Sequence, residues 1–192
     1  MSLKIPLTSN FTKHTSRNPI QRKLLDNFNY WLLTLIENLN LNSILDAGCG
    51  EGFTLNRLQK KIPKHISIGI DSSGKAINIG RKLFPEVKLK IGNIYHLPFK
   101  DKSFDLVICL EVLEHLDNPI KALKEIVRVS NKYCLLSVPN EPWFTWVNFL
   151  RGKYLSTWGN HPEHINHWSR KTFQKLVKNN HLKLIKIKQP FP

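Results

Sequence analysis

The sequence predicts an α/β domain built on a doubly wound, mostly parallel sheet with helices on both faces. Three observations carry this expectation. Near-continuous apolar runs alternate with segments whose apolar residues recur at helical spacing, as strands buried on both faces alternate with crossover helices. The first run, Ile44-Leu45-Asp46-Ala47, breaks at once into Gly48-Cys49-Gly50-Glu51-Gly52, a turn that suits close approach of backbone to a ligand. The next, Ile66-Ser67-Ile68-Gly69-Ile70, ends in Asp71, where nucleotide-binding α/β folds hold a ribose hydroxyl pair.

The elements follow in order. Residues 1–17 are polar and expected to be loosely held. Asn18-Pro19 reads as an N-cap with proline at the first helical position. Ile20, Leu24, Leu25, Phe28, Trp31, Leu32, Leu35 and Ile36 then continue at helical spacing. Arg17 and Arg22 flank this start and could reach a ligand carboxylate. A strand at 43–47 leads to a helix at about 52–61, and a strand at 66–70 to a helix near 73–84. A strand at 87–91 leads to a loop through Pro98, and one at 104–110 to a helix near 118–129. A strand at 133–138 opens a long irregular region before a helix at 170–179 and a last strand at 182–188.

The 192 residues suffice for one domain with a sizeable core. It divides into an N-terminal segment and helix (1–38), a ligand-binding core (43–138), an aromatic insertion or lid (139–169) and a C-terminal helix and strand (170–192). No apolar run approaches a transmembrane span, and Met1-Ser2-Leu3-Lys4-Ile5-Pro6 lacks the apolar stretch of a signal peptide. Cys49, Cys109 and Cys134 show no paired spacing and read as reduced thiols, which implies a cytoplasmic protein.

The formal charge is +15, and it is uneven. No acid precedes Asp26 and none follows Glu163, whereas Arg170, Lys171, Lys175, Lys178, Lys183, Lys186 and Lys188 crowd the C-terminal end. Such a field attracts a nucleic acid, an anionic membrane surface or an acidic substrate. A solvated surface of lysine-rich composition is the plainer reading.

The glycine turn is shared by dinucleotide and S-adenosylmethionine sites, so its details decide. Its spacing is G-x-G-x-G, not G-x-G-x-x-G, and Asp46 stands two residues before the first glycine. A carboxylate there repels pyrophosphate and suits an ammonium. In Leu45-Asp46-Ala47-Gly48-Cys49-Gly50 the chain resembles the class I S-adenosylmethionine-dependent methyltransferases, and in Val138-Pro139-Asn140-Glu141-Pro142-Trp143, Arg151-Gly152-Lys153-Tyr154-Leu155 and Gly159-Asn160-His161-Pro162 it resembles their type-11, quinone-methyltransferase-like group. The resemblance implies a Rossmann-like sheet of order 3-2-1-4-5-7-6 with strand 7 antiparallel. Only six strands are readable, so the last is missing or atypical: either the chain is truncated or its sheet closes differently.

The resemblance also implies which residues meet the cofactor, S-adenosyl-L-methionine. Asp46, Gly48, Cys49 and Gly50 would hold the methionine moiety and approach the ribose. Asp71, with Ser72 beside it, would accept the ribose hydroxyls. Asn93 and Ile94 fall where the adenine is read, with Asn93 replacing the usual aspartate, and Glu111 ends the fourth motif strand beside the cofactor. If the chain turns helical after Leu110, then Glu111, Glu114 and His115 share one face. This Glu-x-x-Glu-His pattern resembles two metal-assisted O-methyltransferase groups, one acting on quinone rings and one on 3′-terminal 2′-hydroxyls of small RNAs. In the RNA group a further histidine follows strand 5, and His164 in Glu163-His164-Ile165-Asn166-His167-Trp168-Ser169-Arg170 matches it. The implied metal set is Glu111, Glu114, His115 and His164, holding a divalent cation such as Mg²⁺, and the implied catalytic set is His115, His164 and Glu111. Structural hydrogen bonding is the alternative for the same residues.

In the insertion, Trp143, Trp146, Trp158 and Trp168 with Phe144, Phe149 and Tyr154 suggest an aromatic cover over an acceptor pocket, or else an apolar flap. The expected function is methyl transfer to a small-molecule hydroxyl. The alternatives are an RNA-directed 2′-O-methyltransferase with a divalent metal, a non-catalytic S-adenosylmethionine-binding partner subunit, and a nicotinamide-dependent oxidoreductase.

Overall fold

A computed structural model describes residues 8–62, 65–140, 164–180 and 182–189. Most of the aromatic insertion, including Trp143, Trp146 and Trp158, lies outside the described residues. The strands are β1 (Ser43–Ala47), β2 (Ile66–Asp71), β3 (Lys88–Ile91), β4 (Phe104–Leu110) and β5 (Ser130–Ser137). They form one sheet of order β3-β2-β1-β4-β5, with every pairing parallel. The helices are α1 (Ser9–Thr15), α2 (Pro19–Ile36), α3 (Phe53–Lys61), α4 (Gly74–Leu83), α5 (Pro119–Val129) and α6 (Arg170–Asn179). Among the described residues, no helix is long and apolar enough to cross a membrane.

Strand alternation divides the core between the two faces. Ile44, Leu106 and Ile108 point into one layer with Ile36 of α2, Leu55 and Leu58 of α3, and Ile77 of α4. Leu45, Val107 and Cys109 point into the other with Ala122, Ile126 and Val129 of α5. Both faces of β1 and β4 are therefore covered, which is why their sequences read as near-continuous apolar runs. Each of the fully buried leucine, isoleucine and valine side chains among them stabilises the fold by roughly 1.5–3 kcal/mol.

Local signals fix the helix starts. Asn18 Oδ1 accepts from Ile20 N and Gln21 N with Pro19 at the first helical position, and Ser73, Asn118 and Ser169 cap α4, α5 and α6. The loop after β3 is pinned by Arg128, which donates to the Leu97 and Phe99 carbonyls at 2.9 and 2.8 Å while pairing with Glu125 and Asp101. Glu125 in turn accepts from Leu97 N at 2.9 Å.

Two expectations are corrected. Residues 9–15 are helical, not loose, because Glu51 holds them from a distance, as described below. The strand expected at 182–188 joins no ladder among the described residues: Ile185 is 71% exposed, and Lys188 Nζ lies 4.3 Å from the Trp31 ring centroid. Apolar alternation suits a strand, but a strand also needs a partner for its backbone groups.

Gly80 marks where α4 meets the glycine turn. A Cβ there would stand 2.3 Å from the Glu51 carbonyl oxygen and 2.5 Å from Leu89 Cδ1. Alanine gains roughly 1 kcal/mol of helix propensity over glycine, but overpacking against backbone costs about 1–3 kcal/mol and the clash is severe. Gly80→Ala is expected to lower stability by about 1–2 kcal/mol in urea denaturation; an unchanged midpoint would show that α4 shifts freely.

Candidate functional site

The carboxyl ends of β1, β2 and β4 open into a cleft of about 770 Å³, roofed by α1 and α2. This is where open parallel sheets place ligands. Its floor is the glycine turn, where Gly48, Gly50 and Gly52 have φ of 89°, 54° and 81°. The turn satisfies its own donors. Gly48 N and Cys49 N both donate to the Ile70 carbonyl, at 2.7 and 3.0 Å, and Gly50 N donates to Asp71 Oδ2 at 2.8 Å. Gly52 N donates to the Cys49 carbonyl at 2.9 Å. The other Asp71 oxygen accepts from Ser73 N at 2.8 Å. These four N–H groups are thus committed, while the start of α3, where Phe53 and Thr54 border the cleft, has no side-chain cap.

The turn instead sits between two carboxylates, both lining the cleft. Asp46 is 2% exposed, and its carboxyl is pushed up to about 7, first by burial and then by the neighbouring Asp71 charge. Burial likewise raises the Cys49 thiol, so this cysteine packs as an inert neutral group. Ser72 and Ile94 also border the cleft. Asn93 borders it too, and its amide oxygen accepts from Tyr95 N at 2.9 Å, forming a local turn.

Glu111 follows β4 directly at φ 56°, a left-handed conformation that is costly for a residue with a Cβ. Its Oε1 accepts from Ser137 Oγ at 2.7 Å, which ties it to β5. The left-handed residue stops any helix from continuing off the strand. Only a 3₁₀ turn forms, at Leu113–His115, so the expected shared helical face of Glu111, Glu114 and His115 does not exist. Glu114 points inward at 1% exposure, while His115 stands at the cleft rim.

Three of the four expected metal ligands nevertheless converge. Glu114, His115 and His164 each offer a ligand atom, and these atoms lie within 4.8 Å of one another; Glu111 is outside the group. The two imidazoles meet edge to face, with centroids 5.0 Å apart at 71°. Backbone brings His164 in: Ile165 N and Asn166 N donate to the Glu114 carbonyl at 2.8 and 3.0 Å, and Asn166 Nδ2 donates to the Leu116 carbonyl at 2.6 Å. One carboxylate with two imidazoles suits zinc, manganese or iron better than Mg²⁺, which prefers oxygen ligands.

The roof holds residues that the sequence did not single out. Thr8 Oγ1 and Asn10 Nδ2 both donate to the fully buried Glu51 carboxylate, fastening α1 over the turn. His14 stacks on Phe53 at 4.4 Å and 2°, and burial, then Lys13 and Arg57, push its imidazole down to about 4. Lys13 lines the cleft, whereas Arg17 and Arg22 are exposed and do not border it. From α2, Leu25, Phe28 and Asn29 line it at helical spacing. Asn29 is 4% exposed, and its Nδ2 has no hydrogen-bond partner. A polar residue in phase with Leu25 and Leu32 was the signal in the sequence that could have flagged it.

The family model described as a methyltransferase domain matches residues 45–136. A tRNA U34 carboxymethyltransferase of Nautilia profundicola is 36% identical over 93 residues, 46% of this chain and 31% of that protein. Demethylmenaquinone methyltransferase of Thermotoga maritima is 30% identical over 133 residues, 66% of this chain and 57% of that protein. Among solved structures, the YcgJ protein of Bacillus subtilis superposes with a TM-score of 0.63 at 26% identity, covering 81% of this chain and 68% of that one. The chain spans less than half the length of the first curated relatives it matches.

The raised Asp46 carboxyl has a consequence for the ligand-free protein. A folded pKa above the unfolded value adds stability below the unfolded pKa, and that stability is lost as pH rises through about 7. The thermal advantage of Asp46→Asn over the unaltered protein should therefore grow from about pH 4 to 7 and then level off, on the order of a few kcal/mol. Thermal melts across pH test this, and a pH-independent difference would mean that the carboxyl stays ionised throughout.

Proposed function

The chain carries a class I S-adenosylmethionine-dependent methyltransferase domain, and on that premise we propose that it transfers the methyl group of S-adenosylmethionine to a small-molecule hydroxyl. The observation that carries the cofactor half is the glycine turn, its amides committed internally and a buried acid at its head. The two acids of this floor, Asp46 and Asp71, oppose pyrophosphate and accept an ammonium, which argues against the nicotinamide reading. The cofactor, when bound, supplies an electrophilic methyl, so the protein's task is mainly alignment and exclusion of water.

In this reading Asp46 takes the ammonium, Asp71 with Ser72 the ribose hydroxyls, and Asn93 and Ile94 the adenine edge. Gly48, Cys49 and Gly50 allow close approach, and Glu111 borders the methionine end. His115 at the rim takes the proton of the acceptor hydroxyl, with His164 packed edge-on to orient its ring. Glu114, His115 and His164 also form a donor set that fits a transition-metal ion, which would act there as a Lewis acid and lower the pKa of a coordinated hydroxyl. Glu111 has no part in that set.

A second reading is favoured by the exposed basic residues of α6 and the segment after it, among them Lys171, Lys175, Lys178, Lys183 and Lys186. They suit a polyanionic acceptor, and an RNA 2′-hydroxyl would be methylated by the same residues. In that case methylation falls steeply with added salt; a small neutral acceptor leaves it flat.

Calorimetry with S-adenosylhomocysteine tests the cofactor half. Binding is expected, with affinity rising between about pH 5.5 and 7.5 as Asp46 ionises, and with Asp71→Ala weakening it at least tenfold. Binding of NAD in place of S-adenosylhomocysteine would sink the proposal. His115→Ala should lower kcat by about 10²–10⁴ with S-adenosylhomocysteine affinity intact. Binding with no turnover on any hydroxyl would instead favour a regulatory subunit.

A further inference from the structure

We infer that the outer face of α2 and the segment 182–188 together form a docking surface for an anionic lipid bilayer. The inference stands apart from the cofactor reading, because the cleft lies on the other side of α2, where Leu25 and Phe28 line it. Ile20, Lys23, Tyr30 and Trp31 fall on the opposite side at helical spacing. Ile20 and Tyr30 are 64% and 60% exposed there.

Ring contacts join the segment to this face. Lys188 Nζ lies 4.3 Å from the Trp31 ring centroid, and Tyr30 meets the same ring edge-on with centroids 5.3 Å apart. Leu182 and Leu184 are half-buried, whereas Lys183, Ile185, Lys186, Ile187 and Lys188 are all exposed. The surface thus presents isoleucines and aromatic rings interleaved with ammonium groups. Asp26 and Glu37 of α2 flank it, outnumbered by Lys23, Lys183, Lys186 and Lys188, and no acid follows Glu163 in the sequence.

This combination selects the occupant. A polyanion such as RNA would satisfy the lysines and leave the isoleucines in water. A second copy of the chain would set lysines against lysines in a self-complementary contact. An anionic bilayer answers both features: its headgroups take the ammonium groups, and its interface takes the isoleucines, Tyr30 and Trp31 while the lysine stems snorkel. Insertion is shallow, at headgroup depth, where the backbone of 182–188, which joins no ladder among the described residues, keeps its water.

The test is co-sedimentation of the whole chain with vesicles of equimolar phosphatidylcholine and phosphatidylglycerol, against pure phosphatidylcholine. Binding is expected to the mixed vesicles alone. Lys183→Gln with Lys186→Gln should weaken it about tenfold or more. Ile185→Ser with Ile187→Ser should weaken it about fivefold or more at unchanged charge. Lys60→Gln with Lys61→Gln removes the same charge at the exposed end of α3 and should change binding less than about twofold. Every one of these side chains is exposed, so the melting temperature should hold in each variant. If the serine pair binds as the unaltered protein does, or the α3 pair loses as much as the Lys183 and Lys186 pair, the attraction is that of net charge alone and the surface is refuted. Binding of single-stranded RNA with no binding to either vesicle likewise overturns it, in favour of a polyanion. Neither result touches the cofactor reading, since S-adenosylhomocysteine affinity is measured separately.

Discussion

The Ile70 carbonyl and the Asp71 carboxylate, taking three successive N–H groups of the glycine turn, are the constraint on which the site depends. The bonds exist because β1 and β2 are parallel neighbours in a register that pairs Ala47 with Ile70. They also require backbone at 48 and 50 that turns with positive φ. Once the turn has given these three amides to the end of β2, none of the three is left to solvate a phosphate. What it can still offer is space and the acids beside it. Sheet register thereby selects the charge of the ligand.

That selection gives the cleft a polarity from floor to roof. Asp46 and Asp71 lie below, while Lys13 and the Asn29 amide stand on the helices above. When the cleft is empty, two acids this close would repel, and the raised Asp46 carboxyl relieves the repulsion by holding a proton near neutrality. A cation arriving at Asp46 reverses the balance and favours the ionised form. In the proposed reading, capture of the ammonium at Asp46 would therefore release that proton.

The central fold was legible because the physics that builds it is local or periodic. β1 and β4 are sandwiched between helices, so every residue in them is apolar or special, and their limits at 43–47 and 104–110 could be read directly. The start of α2 was announced by Asn18 and Pro19. What was not legible depended on partners far along the chain. α1 shows no apolar face of its own, and its anchor, Glu51, lies more than forty residues away. The alternation at 182–188 has the chemistry of a strand without a ladder to join. At Glu111, a single left-handed residue sent Glu114 inward and His115 outward, so helical spacing misjudged which groups meet. His164 still reached that cluster, but through Asn166, a residue whose role lies in backbone carbonyls and not in any side-chain motif.

The attachment of α1 sets a clock on the site. The helix has seven residues and buries none of them; two hydrogen bonds to Glu51 and a ring stack on Phe53 hold it down. A segment tethered in this way can open locally at lower cost than the sheet, since it adds no buried residue to the core. Traffic of a nucleoside-sized molecule through the roof then needs only those few contacts to part. Under the proposed function, the dwell time of such a molecule would depend on the few contacts of one short helix and not on the stability of the core.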